Sequence, residues 1–124
     1  VLRPGGQTVF SDWLLRNPAG QDSDEIRAVT ASPHMGTADG YLSLLASNGF
    51  TLSRHEDLAE VTLERYRAVM DRLQAISPEL RSRFGDRVVD IVTTKQSLVK
   101  EYFEQGSLTV NAFVAQAPGQ TAPP

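Results

Sequence analysis

The chain has 124 residues, 40% hydrophobic and 22% charged, with a formal net charge of −3 and no cysteine. That length and mixture suit one domain around one hydrophobic core. Mild acidity with scattered arginines gives no reason to expect nucleic acid or an anionic membrane as partner, and the lack of cysteine excludes disulfides, thiolate catalysis and thiolate-bound zinc while fitting a reducing cytoplasm. No run approaches the roughly 20 apolar residues of a membrane span, and the start is not a signal peptide.

The first element begins at a turn. Pro4 fixes φ, Gly5 and Gly6 supply the freedom of a tight bend, and Thr8, Val9 and Phe10 form a short β-prone run that Ser11 and Asp12 close. Trp13 to Pro33 is rich in Asn, Pro, Gly, Asp and Ser and reads as a long loop with one helical turn around Asp24–Val29. Thr37 is a good N-cap for a helix over Ala38–Asn48, with Gly49 at the left-handed C′ position and Phe50 packing back.

Thr51–Glu56 reads as a short strand. Asp57 and Glu60 have capping-box spacing for a helix running to about Ile76, with Leu63, Tyr66, Met70 and Leu73 on one stripe. Ser77-Pro78-Glu79 predicts a second helix start, Gly85 a break, and Asp86 the cap of a further helix whose apolar positions recur from Val88 to Phe103 and stop at Gly106. Ser107–Ala117 has apolar residues on both faces, the pattern of a central strand. Residues 118–124, small and Pro-rich, predict a disordered tail.

The opening Leu-Arg-Pro-Gly-Gly followed by Gln-Thr-Val-Phe-Ser-Asp resembles the segment that, in class I S-adenosylmethionine-dependent methyltransferases, leads into the fifth strand of a seven-stranded sheet. Asp39 to Phe50, then His55-Glu56-Asp57-Leu58 and a long helical pair, resemble the group that methylates small amines, including phosphoethanolamine, sarcosine and dimethylglycine methyltransferases. The likeness covers residues 1–117. It implies an α/β fold, the C-terminal part of a Rossmann-like methyltransferase domain, with a three-stranded mixed sheet and helices. The sixth and seventh strands of that family form its antiparallel edge. The chain does not open on Met and begins inside the motif, which fits a truncated frame or fragment.

The same resemblance implies S-adenosyl-L-methionine as cofactor and a small amine- or hydroxyl-bearing metabolite as methyl acceptor. The sequence holds no acidic-x-Gly-x-Gly-x-Gly turn to cradle the methionine part, so the family pattern places cofactor binding upstream. The chain by itself is then expected to be inactive and to bind that cofactor weakly or not at all. Its first strand, lacking its usual outer neighbour, is expected to drive self-association through an exposed sheet edge.

Transfer by direct displacement needs an in-line acceptor and a proton acceptor more than a triad. Asp12 is either an acid at the pocket rim or an Asx cap at the strand end. Trp13, the only tryptophan, either faces a methylated ammonium through cation–π attraction or covers the sheet end. His34 is the candidate proton acceptor, with Met35 beside it at the acceptor; the alternative is a loop histidine without a role. His55 reads as structural. Lys95 lies on the apolar face of its helix and either snorkels to solvent or points into a polar pocket. Ala31-Ser32-Pro33-His34 stands where phosphobase enzymes carry Arg and Tyr, which argues against a phosphorylated acceptor. Two rivals stand beside this reading: a non-catalytic α+β module that oligomerises or binds a small ligand through residues 13–37, and a hydrolase or cyclase built on Ser11, Asp12 and His34.

Overall fold

A computed structural model describes residues 2–119. The elements run β1 (Gln7–Leu15), α1 (Ser23–Val29), α2 (Ala38–Ser47), β2 (Thr51–Asp57), α3 (Ala59–Phe84), α4 (Asp86–Glu104) and β3 (Leu108–Gln116). The sheet order is β1-β3-β2. The last strand is thus the central one, as its two-faced apolar pattern predicts.

The α/β class holds, with one correction to the sheet. β3 pairs antiparallel with both neighbours, so the described sheet is antiparallel rather than mixed. β1 and β2 run the same way but never meet, because β3 lies between them.

The Pro-Gly-Gly turn forms as expected. Gly6 N–H donates to the Arg3 carbonyl at 2.8 Å, and a Cβ on Gly6 would sit 2.9 Å from that same oxygen, so only glycine fits there. The turn is stitched to the far end of β3: Ala117 N–H donates to the Gly6 carbonyl at 2.7 Å, and Gly5 N–H to the Pro118 carbonyl at 3.0 Å. Pro118 of the expected tail is therefore held against the opening turn, and residues 120–124 of that tail lie outside the described residues.

β1 does not stop at Asp12. It continues through Trp13, Leu14 and Leu15, which pair with Val110, Thr109 and Leu108. Leu14 and Leu15 are fully buried by that pairing, and their burial carries the strand past a local stop signal.

The helices mostly follow their local signals. Thr37 caps α2 by accepting from Gly40 N–H at 3.1 Å, and Gly49, Gly85 and Gly106 close their helices at positive φ. Asp57 accepts from Ala59 N–H at 2.9 Å at the start of α3. The expected second start at Ser77 is absent: α3 is one helix of 26 residues with Pro78 inside it. α3 and α4 pack along each other as a hairpin, with Leu73, Leu80 and Phe84 lining an apolar groove opposite Val88, Val89 and Val92, and this pairing carries the helix past the proline.

Side chains alternate across the sheet, giving it two covered faces. On one, Leu15, Leu108 and Val110 meet Ile26, Met35, Val99, Tyr102 and Phe103 from the helices and the long loop. On the other, Phe10, Tyr41, His55 and Phe113 stack with ring centroids 4.7–5.5 Å apart. Among the described residues, no helix is long and apolar enough to cross a membrane.

Candidate functional site

The carboxyl end of β1, the turn after α1, the middle of α3 and the second half of α4 enclose a chamber of about 320 Å³. Its walls are Asp12, Trp13, Thr30, Ser32, Tyr66, Lys95, Gln96 and Val99. Three of the residues expected at a site, Asp12, Trp13 and Lys95, are thus brought together from two distant parts of the chain.

Trp13 forms the aromatic wall. Its indole meets Tyr66 edge-on at 6.1 Å and Phe103 at 5.7 Å, so the ring is fixed by packing and still borders the chamber. Burial pushes the Tyr66 phenol above its ordinary pKa, so it stays a neutral hydroxyl through the physiological range.

Asp12 borders the chamber and also bonds the next backbone amide, so each of its two expected readings holds in part. One carboxylate oxygen accepts from Trp13 N–H at 2.8 Å and the other from the Tyr41 hydroxyl at 2.5 Å. Because adjacent strand residues point to opposite faces, the Asp12 carboxylate reaches back to α2 while the Trp13 indole faces α3 and α4.

Thr30 and Ser32 carry the polar wall. Between them Ala31 has φ +53°, a left-handed conformation costing a side chain roughly 1–2 kcal/mol. The bend is held by Ser32 N–H to the Arg27 carbonyl at 2.9 Å and by the Thr30 hydroxyl to the Ile26 carbonyl at 2.7 Å. Tyr102, buried on α4, donates its hydroxyl to Glu25 at 2.6 Å and so clamps α1 beside the chamber. Burial, with Glu25 adding to it, raises the Tyr102 pKa well beyond the usual phenol range.

The remaining two candidates lie elsewhere. Met35 is 93% buried in the core cluster, its carbonyl accepting from Arg27 Nε at 3.4 Å. His34 is exposed and stands outside the chamber walls. His55 stacks on Phe113 and contacts Asn111 Oδ1 at 2.5 Å, in a polar row that runs on through Thr109 to Asp57. Sequence reasoning missed Thr30, Ser32 and Gln96 as wall residues and assigned Tyr66 to the core stripe alone. Only the left-handed Ala31 and the α3–α4 crossing bring these four to one place, and neither has a local signature.

The architecture is that of one part of a Rossmann-like methyltransferase fold. A putative sarcosine dimethylglycine methyltransferase from Galdieria sulphuraria is similar over 98% of this chain and 45% of its own, with a TM-score of 0.82 and 20% identity. The cyclopropane synthase MmaA2 from Mycobacterium tuberculosis is similar over 93% of this chain and 45% of its own (TM-score 0.79, 17% identity). Phosphoethanolamine N-methyltransferase 2 from Haemonchus contortus, seen with phosphomonomethylethanolamine and S-adenosylhomocysteine, is similar over 94% of this chain and 27% of its own (TM-score 0.80, 15% identity). The chain thus spans less than half the length of these structures, and the likeness is one of fold. No family model matches it, and no curated protein does.

The described residues do not fit S-adenosyl-L-methionine. A methionine cradle needs a strand that feeds a glycine-rich turn and a helix with its amides open to an anion. The turn after β1 carries one glycine, Gly20, and leads into a seven-residue helix flanked by Asp22, Asp24 and Glu25, which repel a carboxylate.

Proposed function

We propose that the chain is the acceptor-side part of a methyltransferase that uses S-adenosyl-L-methionine to methylate a small metabolite at an amine or hydroxyl. One observation carries the reading: the β1-β3-β2 sheet of a methyltransferase fold places the Trp13 indole, the Tyr66 phenol and Lys95 around one chamber at the end of the strand that opens with the Pro-Gly-Gly turn. Trp13 offers a π-face to a substituted ammonium, an attraction of about 0.5–2 kcal/mol according to desolvation. Thr30, Ser32 and Gln96 supply hydrogen bonds that orient the acceptor, and the α3–α4 pair shields it from water. His34, exposed beside the start of α2 and outside the chamber walls, is the proton acceptor in this reading.

Cofactor binding belongs to residues outside this chain. Isothermal titration of the chain with S-adenosyl-L-methionine is expected to show no micromolar binding. The decisive experiment is a methyl-transfer screen of the reading frame extended upstream, against amine, phenol and carboxylate libraries. Transfer to a small acceptor that falls on Trp13→Ala supports the reading; no transfer to any class, from a protein that binds the cofactor, refutes it.

A further inference from the structure

Asn48 is followed by Gly49 at the C-terminal end of α2, and both residues are exposed. An asparagine side chain is an amide electrophile, and the backbone nitrogen of the next residue is the nucleophile nearest to it. Where that residue is glycine, no Cβ blocks the approach. The fold holds this position to glycine: Gly49 has φ +76°, and a Cβ there would lie 3.0 Å from Pro118 Cγ. The residue that ends the helix is therefore the one that leaves Asn48 open to attack.

The same helix end restrains both reacting groups. Gly49 N–H donates to the Ala46 carbonyl at 3.1 Å and Phe50 N–H to the Leu45 carbonyl at 2.9 Å, the paired bonds of a Schellman motif. Asn48 Nδ2 donates to the Leu44 carbonyl at 2.8 Å, which draws the side-chain amide back along the helix and away from the Gly49 nitrogen. Nucleophile and leaving group are thus each held by a hydrogen bond in an exposed last turn, where local opening costs least.

We propose that Asn48–Gly49 is a site of spontaneous deamidation whose rate is set by opening of the last turn of α2. In the open turn the Gly49 nitrogen bonds to Asn48 Cγ, Nδ2 leaves as ammonia carrying the Gly49 amide proton, and a cyclic imide results. Water then adds to either imide carbonyl, giving aspartate or isoaspartate at position 48. Both products put a carboxylate where the amide donated to Leu44, and both set a negative charge against the negative end of the helix dipole. Isoaspartate also adds a methylene to the backbone, which breaks the spacing of the Schellman pair. The inference is independent of the acceptor-side reading.

The test is incubation of the chain in mildly alkaline buffer, natively and in urea, followed by peptide mapping that separates aspartyl from isoaspartyl products. Conversion is expected at residue 48, mostly to isoaspartate, and about tenfold slower in the native chain than in urea. Asn17 precedes Pro18, which has no amide proton, and Asn111 is 2% exposed within β3, so neither should react in the native chain. Isomerisation at Asp39–Gly40 loses water instead of ammonia and leaves the mass unchanged, so it is told apart. Phe50→Ala, which strips the apolar contact that accompanies such a cap, should speed the native reaction several-fold and leave the rate in urea unchanged. Asn48→Gln should end ammonia release at this site, and Asn48→Asp should lower Tm by a few degrees.

Equal rates in buffer and in urea, a native chain that keeps Asn48 intact while the unfolded one converts, a folded Phe50→Ala chain no faster than the parent, or an Asn48→Asp chain as stable as the parent would each overturn the proposal. Circular dichroism checks that Phe50→Ala is folded; if it is not, the native-to-urea ratio of the parent decides.

Discussion

The Tyr41 hydroxyl donates to Asp12 Oδ2 at 2.5 Å, fastening α2 to the middle of the edge strand β1. The same phenol ring lies 5.4 Å from Phe10 and 5.5 Å from Phe113, so one side chain serves both packing and polar pairing. Without it, the Asp12 carboxylate would keep only the Trp13 amide.

Tyr41→Phe keeps the ring and deletes the donor, and is expected to destabilise the fold by about 1 kcal/mol, measured by urea unfolding at pH 7. The hydrogen bond to Asp12, with burial and the neighbouring negative charge adding to it, raises the Tyr41 pKa above its ordinary value near 10.0. A raised folded pKa means that this stability is fully present below the unfolded pKa and lost as pH climbs through the folded one. The variant should therefore show a smaller loss of stability on the alkaline side than the parent. An identical alkaline profile in both would mean that the bond does not persist in solution.

Asp57 gives the opposite slope. Burial pushes its pKa up, but the Thr109 hydroxyl at 2.7 Å, the Ala59 amide at 2.9 Å and Arg16 at 2.9 Å together hold it below the ordinary carboxylate value. The stability this confers is present above the unfolded pKa and lost as pH falls through the lowered one. Its side chain is 41% exposed, so solvent screening limits the effect to about 1 kcal/mol or less. Asp57→Asn should flatten the acid limb of the stability profile, where pH falls from the ordinary carboxylate pKa through the lowered one, with thermal unfolding as the readout.

The free side of β1 bears on self-association. In the order β1-β3-β2 it carries no ladder among the described residues, and Val9 on that strand is 68% exposed. Such an edge invites pairing with a second copy, and a lysine on an edge strand opposes it. Light scattering is expected to give a mass above that of one chain for the parent and to fall to one chain for Val9→Lys. A parent that is already a monodisperse monomer counts against association through this edge.

The parts legible in the sequence are those that a few neighbouring residues decide. The Gly5–Gly6 turn, the Thr37 cap and the glycine stops at 49, 85 and 106 each follow from local backbone geometry. Trp13 and Lys95 stand out in the sequence, one as the sole tryptophan and the other as a lysine on an apolar helix face, and both line the chamber. Long-range partners decide the rest. The extension of β1 past Asp12 depends on Leu108 and Thr109, far along the chain. Sequence adjacency also misleads at His34 and Met35: the tight turn before α2 sends one to solvent and the other into the core.

Pro78 shows the same contest within one helix. Ser77-Pro78-Glu79 has every mark of a helix start, yet Ser77 is helical and its hydroxyl accepts from Arg81 Nε at 3.2 Å instead of capping an amide. An interior proline removes one backbone hydrogen bond and crowds the carbonyl a turn earlier, at about 3 kcal/mol or more, offset by about 1 kcal/mol of lowered unfolded-chain entropy. Pro78→Ala should then stabilise the protein by about 2 kcal/mol, read as a Tm raised by several degrees. The gain requires that the α3–α4 pairing be kept in the variant. If Tm instead falls, Pro78 stabilises the hairpin through its packing there, and helix propensity does not govern the hairpin that roofs the chamber.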